Sequence, residues 1–147
     1  MKLKENKFQI NELIGEIDPE DNKSTFATAT HIGIFEDQQH SGRIACLIEL
    51  RNTNVASASW DKTIKIWDIN THTCKNTLNG HLEMVQSLIE LKTGELVSAS
   101  WDRTIKIWEL KKFTCTHTLI GHSNMILCLL ELDNEDFVSG SHDATIR

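Results

Sequence analysis

The sequence predicts an all-β chain of repeated four-stranded antiparallel units, and two observations carry that expectation. The stretch SASWDKTIKIW, Ser57 to Trp67, returns as SASWDRTIKIW, Ser98 to Trp108, and again in shortened form as SGSHDATIR at the end of the chain. The step between copies is constant at 41 residues: it separates Trp60, Trp101 and His142, then Asp61, Asp102 and Asp143, then His40, His81 and His122. A fixed period in the low forties marks a repeat architecture and takes precedence over local propensity.

The copy from Gly80 to Ile120 shows what one unit contains. MVQSLIEL, Met84 to Leu91, is rich in Val, Leu and Ile and reads as a buried first strand. KTGE follows as a turn in which Gly94 is free to take positive φ. LVSAS, Leu96 to Ser100, is the second strand, and WDRT reverses the chain because the Asp102 carboxylate can accept backbone N–H bonds. TIKIWEL, Thr104 to Leu110, alternates polar and apolar residues as a third strand. After KKF, TCTHTLI, Thr114 to Ile120, is a short fourth strand before GH restarts the cycle. Such a unit cannot fold stably alone, whereas stacking buries the faces of each sheet between its neighbours. The expected units are 39–79, 80–120 and a truncated 121–147.

Composition narrows the function classes. The 147 residues carry a formal net charge of −6, which argues against a phosphate-binding surface and hence against nucleic acid. No apolar run is long enough to span a bilayer, and MKLKENKFQI lacks the apolar core of a signal peptide, so no membrane is expected and the expected location is cytoplasmic or nuclear. Cys46 and Cys128 occupy one repeat position and Cys74 and Cys115 another, and no CxxC or HxxxH occurs, so the thiols read as reduced and structural, with no metal. No cofactor is expected.

GH some twenty residues before SASWD, followed by IKIW, resembles the WD40 repeat, whose fold is a β-propeller with one four-stranded blade per repeat. The resemblance covers about 39 to 147, which implies an incomplete propeller segment that does not close by itself. It also implies a hydrogen-bonded set in each blade: His40, Ser57 or Ser59, Asp61 and Trp67; His81, Ser98 or Ser100, Asp102 and Trp108; then His122, Ser139 and Asp143. A buried carboxylate needs such donors. Strand parity puts Ser98 and Ser100 on one face and does not choose between them. A protease reading of Ser, His and Asp is set aside, because the set recurs in every copy with Trp attached and no GxSxG turn is present. No catalytic residue is assigned.

The same resemblance places partner-binding residues on the rim that carries the start of the first strand and the WD turn. By position these are Arg43 and Ala45, Met84 and Gln86, Met125 and Leu127, with Trp60, Trp101 and His142. Aromatics, Met and Arg are enriched at interface hot spots. The alternative is that the Met residues only pack at the rim and each Trp covers its own turn. Two further departures are Gln39, where the other copies have Gly80 and Gly121, and the end of the third copy at Arg147, before its Trp and fourth strand.

Residues 1–23 read as a charged tail, and 24–38 as a strand-like lead-in, either a clasp strand or a degenerate earlier blade. The expected function is a non-catalytic scaffold for protein–protein interaction through the rim, its partners other proteins or peptides. The alternative is a structural segment whose open blade edges associate with other chains.

Overall fold

The computed structural model describes residues 38–134 and 136–147. The expected tail and nearly all of the expected lead-in lie outside the described residues. Among the described residues every element is a strand: β1 (Ile44–Glu49), β2 (Val55–Ser59), β3 (Ile64–Asp68), β4 (Thr73–Leu78), β5 (Val85–Glu90), β6 (Leu96–Ser100), β7 (Thr104–Glu109), β8 (Thr114–Ile120), β9 (Ile126–Glu131) and β10 (Phe137–Ser141). The strands form two four-stranded antiparallel sheets in sequential order, β1-β2-β3-β4 and β5-β6-β7-β8, and a β9-β10 pair. A bridge from Gly140 to Ile146 adds the start of a third strand to that pair. The expected all-β class of four-stranded blades therefore holds, and among the described residues the sheets do not close into a ring.

Strand β6 explains why the blades must stack. Its five residues are all buried, and alternation sends Leu96 into a cluster with the first sheet while Val97 and Ala99 join a cluster with β9. Sheets covered on both faces need continuously apolar or small strands, and VASAS and LVSAS supply them. The first cluster joins Ala56, Ile64, Ile66 and Leu78 of sheet one to Val85, Leu88, Leu96 and Trp108 of sheet two. The second joins Val97, Ala99 and Ile105 to Ile126.

Three strand ends are shorter than the sequence predicts, with β7 stopping at Glu109 before Leu110. Met84 lies outside β5 because its carbonyl accepts from the Trp101 N–H of the following turn, at 3.0 Å. Leu91 leaves β5 because its carbonyl closes the turn onto the Gly94 N–H, with Gly94 at φ 89°.

Candidate interaction rim

Each blade is locked by one repeated set of polar contacts. His81 Nδ1–H donates to Asp102 at 2.8 Å, which leaves Nε2 to accept from the Ser98 hydroxyl at 2.7 Å. The Ser98 oxygen in turn accepts the Trp108 indole N–H at 2.8 Å. The first blade repeats the pattern through His40, Asp61, Ser57 and Trp67, at 2.7 Å for each of its three bonds. In the third, His122 meets Asp143 at 2.8 Å and Ser139 at 2.9 Å. The two serines left open by parity do different work: Ser59, Ser100 and Ser141 accept the N–H of the turn aspartate, each at 3.1 Å.

Sequence reasoning missed the threonine two residues after each aspartate. The hydroxyls of Thr63, Thr104 and Thr145 each donate to the nearer carboxylate at 2.6 Å, and their N–H groups donate to the same oxygen. The signal was present as DKT, DRT and DAT at the common period. The residue between is left-handed in every copy, with φ of 73° at Lys62, 69° at Arg103 and 64° at Ala144. The carboxylate's grip on the next N–H holds that strained position.

Burial alone pushes the Asp61 carboxyl up, but the Thr63 hydroxyl, the His40 imidazole and the Thr63 N–H outweigh it and hold the group at about 2. At Asp102 burial again opposes, and His81, Thr104 and the Leu82 N–H bring the carboxyl below the usual range. At Asp143 the Thr145 hydroxyl contributes most to the same downward shift. These carboxylates are fully engaged in fixing the turns, which is structural chemistry. Among the described residues no group of three or more His, Cys, Asp and Glu side chains is placed to hold a metal ion, and no helix is long and apolar enough to cross a membrane.

The turns present the expected rim residues. The Trp60 N–H donates to the Arg43 carbonyl at 2.8 Å, Trp101 to Met84 at 3.0 Å and His142 to Met125 at 2.9 Å, so the residue before each aspartate sits beside the residue three after each histidine. The next rim position is a β-bulge in all three copies: the register slips between Ile44 and Cys46, between Val85 and Ser87, and between the partners Ile126 and Cys128. Ala45, Gln86 and Leu127 are the extra residues, and a bulge re-aims a side chain at the end of a strand.

Three of these side chains form a continuous stack across two blades. Trp60 and Trp101 lie with ring centroids 5.9 Å apart at 45°, and the Arg43 guanidinium sits 5.0 Å over the Trp60 ring. The Trp101 indole N–H donates to Gln86 Oε1 at 3.2 Å, fixing the second ring. Met84 and Met125 are half-buried, whereas Leu127 and His142 are exposed.

Comparison with known proteins places this geometry. The family described as WD domain, G-beta repeat, matches residues 30–68, 72–109 and 113–147. The chain is similar to nuclear distribution protein PAC1 of Coccidioides posadasii (strain C735), 56% identical over 32 residues, or 22% of this chain and 7% of that protein. It is also similar to zinc finger CCCH domain-containing protein 59 of Arabidopsis thaliana, 45% identical over 42 residues, or 29% of this chain and 9% of that protein. Among solved structures it is similar to the WD40 beta propeller domain of Doa1, with a TM-score of 0.70 and 27% identity, covering 74% of this chain and 36% of that one. The chain thus spans only a small part of the curated relatives it matches. With three consecutive family matches laid over repeating four-stranded blades, the chain belongs to the WD40-repeat family.

Proposed function

We propose that the chain is a non-catalytic scaffold that binds another protein or peptide through the rim carrying Arg43, Trp60, Met84, Gln86, Trp101 and Met125. The observation that carries this reading is the Arg43–Trp60–Trp101 stack, which bridges two blades and is not needed to close either turn. The polar set that resembles a catalytic triad has its acid, base and hydroxyl occupied in turn geometry and in holding a Trp, which leaves no free nucleophile. A tilted aromatic pair with a guanidinium over one of its rings suits a peptide with an apolar anchor and a carboxylate beside it. The same reading puts the chain in the cytosol or nucleus, where the free thiols of Cys46, Cys74, Cys115 and Cys128 stay reduced.

The test is the double variant Trp60→Ala with Trp101→Ala. Both rings are only half-buried, so the blades should keep their β-sheet circular dichroism and cooperative unfolding. Capture of the proteins retained by the wild-type chain should fall at least tenfold. Full retention of those proteins by a folded double variant contradicts the rim assignment.

A further inference from the structure

Asn79 and Gly80 form the only Asn-Gly step in the 147 residues, and every other asparagine is followed by a residue with a side chain. The pair lies between β4, which ends at Leu78, and β5, which starts at Val85, so it belongs to the link between the first two blades. Both residues are exposed, while Leu78 before them and His81 after them are buried, at 2% and 7% exposure. Geometry holds the glycine in this copy: Gly80 has φ at 153°, and a Cβ on it would come within 3.3 Å of the Trp108 ring. The asparagine has no such reason, since the other copies carry Gln38 and Ile120 at its position.

Local bonding leaves both groups of this pair accessible. Asn79 lies beyond the last residue pair between β3 and β4, and its side chain makes a single hydrogen bond among the described residues, from Nδ2 to the Thr77 carbonyl at 3.2 Å. The Gly80 N–H makes none among the described residues. Other asparagines are better held. Asn54 is buried, its Oδ1 accepts from Lys75 Nζ at 3.4 Å, and the next residue is the β-branched Val55 at the start of β2. Asn76 sits within β4 opposite Ile66 and is followed by Thr77.

We propose that Asn79 is a site of spontaneous covalent modification, converted through a cyclic imide to aspartate and isoaspartate, and that the isoaspartyl form loosens the polar lock of the second blade. The deprotonated Gly80 nitrogen attacks the side-chain carbonyl carbon of Asn79. A bond forms from that nitrogen to Cγ, the bond from Cγ to Nδ2 breaks, and Nδ2 takes a proton from water and leaves as ammonia. Water then opens the imide at either carbonyl, with no oxidation or reduction, giving aspartate or isoaspartate. A side chain on the following residue hinders the attack, and glycine has none. Isoaspartate routes the main chain through the former side chain and so adds one methylene to the link. Both ends of that link are fixed: Leu78 lies in the core, and His81 donates to Asp102 at 2.8 Å and accepts from Ser98 at 2.7 Å. Gly80 has little room to absorb the extra length, because Lys106 Cε lies 3.8 Å from the same Cβ position that meets Trp108. The displacement therefore falls on His81 and on the Leu82 N–H, which donates to Asp102 at 2.9 Å.

Peptide mapping by mass spectrometry on the whole folded chain, held in mildly alkaline buffer, tests the proposal. Asn79→Gln is the control at an exposed position, because glutamine would have to close a larger ring and reacts far more slowly. The peptide holding Asn79 and Gly80 is expected to gain about one mass unit, as the amide becomes an acid, at least tenfold faster than any peptide holding only other asparagines. Isoaspartate is expected as the main product, read by labelling with an isoaspartyl methyltransferase. Equal rates across the asparagines overturn the site, as does an Asn79 that converts in urea and not in the folded chain. The consequence is read separately, by urea unfolding of fresh and aged samples. Aged wild type is expected to unfold at a lower midpoint than fresh, and aged Asn79→Gln at the same midpoint as fresh. An unchanged midpoint in converted wild type overturns the claim that the product loosens the blade, and so does an equal loss in the aged control.

Discussion

The two outer strands, β4 and β8, have closely related sequences and very different surroundings. TCKNTL and TCTHTLI pair with their third strands in the same register, each with a slip before the tryptophan. Yet Leu78 is 2% exposed and its counterpart Leu119 is 41% exposed, and every residue of β8 is open to solvent. The cause lies in the next blade. Leu78 belongs to the cluster that contains Trp108, whose ring also comes within 3.3 Å of where a Cβ on Gly80 would lie. Among the described residues no side chain matching Trp108 lies over β8. An outer strand is thus buried by the third strand of the following repeat, and its own sequence does not decide its burial. The inner strands need less: Ile126 is buried with only two strands and a bridge in its blade.

The largest effect is expected where one residue serves both the blade lock and the junction. Trp108→Ala removes the indole that holds Ser98 and covers Leu78, and is expected to cost about 3–5 kcal/mol in urea unfolding. A loss under about 1 kcal/mol would break the comparison. Next comes the paired test of the outer strands. Leu78→Ala is expected to cost about 2–4 kcal/mol and Leu119→Ala less than about 1 kcal/mol. Equal losses would mean that burial by the neighbouring blade is not what distinguishes them.

The serines sharpen the same contrast. Ser98→Ala strands both His81 Nε2 and the Trp108 N–H, whereas Ser139→Ala leaves only His122 Nε2 without its partner. The first is expected to cost about 1–3 kcal/mol and the second less, measured in the same titrations.

Acid provides a test common to all three blades. Asp61, Asp102 and Asp143 hold their protons less tightly when folded than their ordinary value of 3.8. Between the folded and unfolded values the unfolded chain binds more protons, so the stabilising contribution is complete above about pH 5 and declines as pH falls. For Asp61 the decline runs down through about pH 2. Unfolding midpoints in urea should therefore drop steadily from pH 5 to pH 2.5. A midpoint independent of pH over that interval would show that these carboxylates are not engaged in the fold.

Much of this was legible in the sequence because it repeats. The bounds of β6 and β8 follow from local alternation and turn residues, and the constant step locates equivalent positions without any alignment. Other features depend on relations the repeat does not encode. Ser57 and Ser59 share a face, and only position along the strand separates them: Ser57 lies opposite Lys65 within the sheet, while Ser59 ends at the turn. The bulges at Ala45, Gln86 and Leu127 are properties of register between two strands, invisible in either strand alone. Thr63 reads locally as an ordinary strand residue. The Trp60–Trp101 contact depends on how one blade is rotated against the next, which a period of 41 residues does not specify.

Native-state hydrogen exchange on the wild-type chain tests most directly the claim that each outer strand is protected by the following repeat. Monitored by mass spectrometry, amides of β4 bonded to β3 are expected to exchange at least tenfold more slowly than the equivalent amides of β8 bonded to β7. Equal protection in the two strands, or faster exchange in β4, would contradict the account.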